Sequence, residues 1–396
     1  YMTVKSKVDV AVIGRGMLGS SAARHLADLG ASVALIGPGE PADHSTHEGV
    51  FGSHHDSGRI TRVLDRNPYY AKISAASIAR YRGLESRTGI TFFYDVGQIT
   101  VSGIVPYLDE LSACAVVHDL NHSILDNAGL AEMFPYLQFA EGMTGIHEIG
   151  TAGHIDPRRF IAAQGELVQL AGGQVINETV TRIKEHNRVQ ILSWKDDGEC
   201  RCSKVLLATG AFANHFGIIP EPISIEVAEH TVVFGEVSKD TAEILSAMPS
   251  VIYHQTDEIG GSVYILPPIK YPDGRTWLKI GQSSGHSMVD PEQNLIPWFQ
   301  GIGDADIAEW LSEELSKVLP GTELLSQHTS SCVTTKSQSG LQFIDKFDGT
   351  EVYSCLVGEG QAAKSADELG RMAAHKVLYG RVPAEYDDFD FRIKYQ

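Results

Sequence analysis

The chain has 396 residues, 43% of them hydrophobic, enough for two domains or one large interrupted one. Lys and Arg number 32 against 50 Asp and Glu, a formal net charge of −18 that argues against nucleic acid and anionic membranes as partners. No run of about 18 apolar residues offers a membrane-spanning helix.

A short β-branched run over 8–13 stops at Gly14 and opens into Gly14-Arg15-Gly16-Met17-Leu18-Gly19. The run contains Asp9 and ends in glycines, which is unlike a secretory signal. A helix is expected over about 20–29, with Gly30 as its stop, and a second strand over 31–36. Strand, glycine turn and helix in this order form the entry to a dinucleotide site. The first glycine allows the turn, the second admits a pyrophosphate, and the third lets helix pack on strand. The helix N-terminus then offers free N–H groups to the anion.

Turn-rich breaks fall near 37–58, 142–157, 220–224, 267–274 and 319–322, and the region 92–142 mixes short strands with helical pieces. Asp156 and Pro157 read as the N-cap and first residue of a helix that ends at Gly172-Gly173. Strands are expected over 175–185, 189–194 and 204–208. The last ends in Ala208-Thr209-Gly210-Ala211, a second glycine loop at the carboxyl end of an apolar strand. From 226 to 282 the pattern is β-rich, with strands over 231–236, 251–254, 263–266 and 276–281, and reads as an inserted antiparallel sheet. A third glycine loop, Gly358-Glu359-Gly360, precedes a helical segment that carries Lys364. The five cysteines, Cys114, Cys200, Cys202, Cys332 and Cys355, are odd in number and sparse. No disulfide framework is expected, and a cytoplasmic setting fits. Cys200 and Cys202 lack a second ligand pair nearby, so no metal site is expected.

Four stretches carry a family resemblance over nearly the whole length. They are the N-terminal glycine turn; Gly52-Ser53-His54-His55-Asp56-Ser57-Gly58-Arg59-Ile60-Thr61-Arg62; Leu278-Lys279-Ile280-Gly281; and Ser331-Cys332 through Phe343-Ile344-Asp345 to Gly358-Glu359-Gly360-Gln361-Ala362-Ala363-Lys364. Together they resemble the glycine oxidase and D-amino-acid oxidase superfamily of flavoproteins, and most closely its monomeric sarcosine oxidase and N-methyltryptophan oxidase branch. The resemblance implies an α/β + α+β fold. A Rossmann-like FAD-binding domain would be built from 1–88, 150–222 and 326–396, with an inserted antiparallel-sheet substrate domain from 89–149 and 223–325. It implies oxidation of a secondary or N-alkylated amino acid to an imine that hydrolyses, with O2 reduced to H2O2, by a monomer or homodimer.

By the same matching, FAD would contact Gly14, Gly16, Met17, Leu18, Gly19, Ser53, His54, Arg59, Val180, Thr209, Gly210, Gly358, Gly360 and Lys364. Cys332 is similar to the cysteine that forms a thioether with the flavin 8α-methyl. Arg62 and Lys364 would bind the substrate carboxylate, with Tyr264 and Gln361 also in the pocket. Arg59 and His55 would lie at the flavin, and Lys279 would activate oxygen by stabilising a developing superoxide. Plainer readings stand beside these: Arg62 in a structural ion pair, Lys364 solvated, Lys279 a surface lysine at a strand end, His54 and His55 packed against loop backbone.

The chain departs from the branch in several places. Gly37 stands where an acidic residue usually holds the adenosine ribose, which leaves Glu40 as the candidate. Thr334, Ser283 and Gln361 replace an aromatic residue and two histidines. The redox machinery thus reads as retained and the substrate walls as changed. An FAD-dependent dehydrogenase that passes electrons to a non-oxygen acceptor is the alternative.

Overall fold

Residues Val10 to Ile13 are all apolar, so this strand has no face to give to water and needs a layer on each side. The computed structural model describes residues 5–195, 198–255, 261–290 and 293–396 and supplies both layers. Strand Lys5–Ile13 lies between Val33–Ile36 and Glu199–Leu207, parallel to both. Gln174–Ile176 extends this sheet beyond Val33–Ile36, and Val352–Ser354 joins Glu199–Leu207 on its far side, again in parallel. Val10 and Val12 pack against Ala22 and Leu26 of helix Met17–Asp28 and Leu369 and Ala373 of helix Ala362–Tyr379. Ala11 and Ile13 face the other way, toward Val180, Leu192, Trp194 and Ile218. Each such aliphatic side chain, fully buried, contributes on the order of 1.5–3 kcal/mol.

A second sheet of eight strands covers the other half of the molecule. It runs Ser326–Lys336, Glu226–Glu236, Thr276–Gln282, Ser262–Lys270, Ser250–His254, Gln98–Ser102, Thr144–Glu148 and His122–Leu125. A third sheet of three short strands joins Arg59–Thr61, Gly153–Ile155 and Phe93–Tyr94.

The structure corrects several expectations. The inserted sheet is mixed, because Ser250–His254 runs parallel to Gln98–Ser102. Strand Ser326–Lys336, read from sequence as part of the nucleotide-binding stretches, pairs along its whole length with Glu226–Glu236. The run over 175–185 is two strands, not one. Gln174–Ile176 pairs with Val33–Ile36, polar residues 177–179 break the run, and Arg182–His186 forms a hairpin with Val189–Ser193. Asn187 (φ 52°) and Arg188 (φ 64°) make the tight turn of that hairpin. The first helix begins at Met17, directly after the glycine turn, rather than at Ser20. At Asp156 the expectation holds: its carboxylate accepts the Arg159 N–H at 3.0 Å, with Pro157 in the first turn.

Candidate active site

The parallel strands end at one edge of the first sheet, and a cleft opens there. It is lined by Gly14 to Leu18, Ile36 to Gly39, Val50 to His55, Arg59, Glu178 to Val180, Ala208 to Phe212, Val333 to Thr335, Gly358, Gly360, Ala362 and Ala363, among others. Two glycines are forced here. Gly14 has φ +107°, and a Cβ on it would lie 2.2 Å from the Ala208 carbonyl oxygen. A Cβ on Gly19 would lie 1.8 Å from the Gly14 carbonyl oxygen. Helix Met17–Asp28 has Gly16 at its N-cap and no side chain capping it. Its first N–H groups therefore need an acceptor, and a diphosphate in the cleft is a suitable one. The buried Thr209 hydroxyl and His55 Nδ1 also lack a partner among the described residues. An open glycine cradle, an uncapped helix start and orphaned polar atoms in the cleft wall fit a bound dinucleotide.

His54 packs against the glycine turn, where burial pulls its imidazole down to about 3; burial brings His55 to about 4. Both are neutral at pH 7. Glu40 does not line the cleft: Arg158 donates to its two oxygens, each at 2.7 Å. Glu40, His44 and His55 gather ligand-type atoms within 4.8 Å, but the carboxylate is already engaged by that guanidinium.

Within the loop 52–59 a buried carboxylate, Asp56, collects three side-chain partners. The Lys279 ammonium donates to it and, at 3.1 Å, to the Gly58 carbonyl. Arg59 Nε lies 3.0 Å away and Tyr271 Oη donates at 2.8 Å. Burial opposes the charged carboxylate, but the Lys279 and Arg59 charges outweigh it and hold Asp56 well below the usual range. Lys279 is 1% exposed, so it is no surface lysine. Burial, aided by Arg59, pulls it down to about 8 against the attraction of Asp56. Arg59 Nη2 also donates to the Ser53 carbonyl at 2.9 Å and to Cys332 Sγ at 3.5 Å. The Tyr264 ring centroid lies 5.8 Å from the Lys279 ammonium.

A second buried carboxylate, Asp65, gathers the other two expected cations. Lys364 Nζ donates to it at 2.5 Å, and Arg62 Nη1 lies 3.7 Å away while donating to the Leu64 carbonyl. Lys364 is buried rather than solvated; burial and Arg62 bring it to about 8 against Asp65. Glu148, fully buried beside them, accepts the backbone N–H groups of Val63 and Leu64 at 2.9 and 2.8 Å. Gln361 occupies the N-cap of helix Ala362–Tyr379 without a side-chain capping bond. The Gly358 N–H donates to Thr335 Oγ1 at 3.1 Å, which ties the third glycine loop to the second sheet. The structure thus gathers Arg62 and Lys364 at one buried carboxylate and Arg59 and Lys279 at another. It adds Asp56 and Asp65, which sequence reasoning missed. Each stands close to an arginine in the same segment, the one local signal that pointed to them.

A cleft at the carboxyl edge of a parallel sheet, walled by a second sheet that carries the buried Lys279, fits a dinucleotide-dependent oxidoreductase. Residues 9–376 match the FAD dependent oxidoreductase family, DAO, and the chain belongs to it. It is an FAD-dependent enzyme of the group that acts on C–N donors. A probable sarcosine oxidase of Arabidopsis thaliana is 23% identical over 393 residues, 94% of this chain and 88% of that one. Among solved structures, NikD, an unusual amino acid oxidase essential for nikkomycin biosynthesis, is 18% identical with a TM-score of 0.75 over 98% of each chain. L-proline dehydrogenase from P. horikoshii has the same identity and TM-score, over 98% of this chain and 97% of that one. At that identity the two structures speak for the fold.

Proposed function

We propose that the protein oxidises the C–N bond of a secondary or N-alkylated amine and passes the electrons to O2, giving H2O2 and an imine that hydrolyses. FAD bound in the cleft supplies the two-electron acceptor for the amine. The observation that carries the oxygen half is the Lys279 ammonium, excluded from water behind the cleft loop and held by Asp56 and the Gly58 carbonyl. A positive charge in a low-dielectric site favours electron transfer to a neutral molecule that becomes an anion. Arg59 adds a second charge at the cleft wall and orders the loop through the Ser53 carbonyl. A second reading, a dehydrogenase with another acceptor, is favoured by one observation: Asp56 partly neutralises Lys279. The five unpaired thiols suit a reducing compartment such as the cytoplasm.

Anaerobic addition of N-methyl, N-alkyl and cyclic amines, with and without a carboxylate, is expected to bleach the flavin with at least one of them. Mixing the reduced protein with air-saturated buffer is then expected to restore the colour within seconds, with one H2O2 per flavin. Bleaching followed by recolouring only with an artificial acceptor favours the dehydrogenase; no bleaching by any amine ends the proposal.

Cys332 is proposed to carry the cofactor covalently. It shares a strand face with Thr334, which lines the cleft. Acid-precipitated protein is expected to stay yellow, and Cys332→Ala to release its colour to the supernatant. Colour in the supernatant from the unaltered protein refutes the linkage.

A further inference from the structure

We infer that Glu178 holds the adenosine ribose of the bound dinucleotide, its carboxylate accepting the vicinal 2′ and 3′ hydroxyls. This concerns the cofactor and stands apart from the identity of the amine. In a parallel sheet of this kind the ribose lies near the end of the second strand, where an acid commonly receives it. Here that strand, Val33–Ile36, ends in Gly37. A Cβ on Gly37 would lie 2.8 Å from the Arg15 backbone nitrogen and 2.9 Å from Arg15 Cβ, so the turn leaves no room for an acid there. The Arg15 side chain crosses the same ground. Its Nη2 would lie 3.5 Å from a Cβ on Gly39, and it donates to Asn177 Oδ1 at 3.3 Å. Glu40, a little further along the chain, does not line the cleft and is engaged by Arg158.

The neighbouring strand supplies the acid instead. Gln174–Ile176 runs parallel to Val33–Ile36 with Ile176 opposite Ile36, and the Gly37 N–H donates to the Ile176 carbonyl at 3.0 Å. Strands so paired lie about 4.8 Å apart. Two residues past Ile176, Glu178 therefore leaves the sheet beside that strand end, and it lines the cleft together with Gly37 and Gly39. Among the described residues that line the cleft it is the one carboxylate, and its side chain has no hydrogen-bond or ion-pair partner among the described residues. A lone carboxylate in a site shaped for a diphosphate repels its ligand unless the ligand also brings it donors. The vicinal hydroxyls of a ribose are a neutral pair of donors, and hydrogen bonds from hydroxyl to carboxylate are among the strong ones. The positive charge that the phosphates need comes from the uncapped helix start and from Arg15 and Arg59 in the same lining.

Nucleotide binding, not turnover, is the readout. Full-length Cys332→Ala, freed of flavin, is titrated calorimetrically with ADP and with 2′,3′-dideoxy-ADP, which lacks only the two hydroxyls. The dideoxy nucleotide is expected to bind at least about tenfold more weakly, the scale of taking donors away from a charged acceptor. With Glu178→Ala added, the two nucleotides should bind within about twofold of each other, because a pair already broken no longer couples. Equal binding in the parent, or a dideoxy penalty that survives Glu178→Ala, overturns the inference. A carboxylate that takes the adenine amine rather than the ribose gives the second of these results. Should the flavin-free chain not stay folded, a crystal structure of the unaltered holoenzyme decides. A Glu178 oxygen within about 3.0 Å of a ribose hydroxyl supports the inference, and ribose hydroxyls held by other groups overturn it. Failure of every amine to bleach the flavin would end the oxidase reading and leave this result standing, since the nucleotide half is read alone.

Discussion

Lys279→Met is expected to slow reoxidation of the reduced protein by O2 about 10²–10³-fold, the range for removing one charge-stabilising group from a transition state. Anaerobic reduction by the amine is expected to change by less than about threefold. The side chain is 1% exposed, so its charge acts with little screening by water. Methionine keeps the length and removes the charge. The pH profile supplies an independent check. Lys279 is brought from 10.5 down to about 8, so it is an ammonium at pH 7 and loses its proton as the pH rises through about 8. The reoxidation rate constant of the unaltered protein should therefore be flat below that pH. Above it the rate should fall about tenfold per unit, as a single required proton is lost. Lys279→Met should show no such limb. Stopped-flow absorbance of the flavin measures both. Equal loss in the two half-reactions would show that the lysine supports structure rather than oxygen chemistry.

The parts of this protein that were legible in its sequence are those whose physics is local. A strand buried on both faces must be apolar at every position, so residues 10–13 declare themselves. The turn at Gly14 tolerates nothing larger than hydrogen, and Asp156 with Pro157 marks a helix start within two residues. The second sheet was harder. Strands His122–Leu125 and Thr144–Glu148 join it only through Gln98–Ser102, and no local pattern specifies that their sheet continues into Ser250–His254. At the site the cations were visible through motif matching, whereas their partners were not. Asp56 and Lys279 are 223 residues apart, Asp65 and Lys364 are 299 apart, and Glu40 meets Arg158 across 118. Whether a lysine is free to meet a substrate depends on which carboxylate folds against it. That is set by tertiary packing and leaves almost no trace in either segment alone.

Asp56→Ala carries the second large expected effect, and it tests whether Lys279 is held by that carboxylate. Removing Asp56 leaves the buried Lys279 and the partly exposed Arg59 near each other without that counter-charge, and it deprives the Tyr271 hydroxyl of its acceptor. Breaking a buried pair from one side costs about 3–5 kcal/mol. Lys279→Met should cost less, because Asp56 keeps Arg59, Tyr271 and the N–H groups of Ser57 and Gly58. The double variant should then be more stable than the sum of the single losses implies, by about 1–3 kcal/mol of coupling. Urea denaturation of the holoenzyme followed by far-UV dichroism measures all four corners of that cycle. The reoxidation profile supplies the electrostatic half. In Asp56→Ala, burial and Arg59 act on Lys279 with no carboxylate to oppose them, so the ammonium is lost at lower pH. The falling limb should move below about 8, with its slope unchanged. A limb that stays in place, together with strictly additive stabilities, would mean that Asp56 and Lys279 are neighbours without being partners. The oxygen-reducing role would then need a different group.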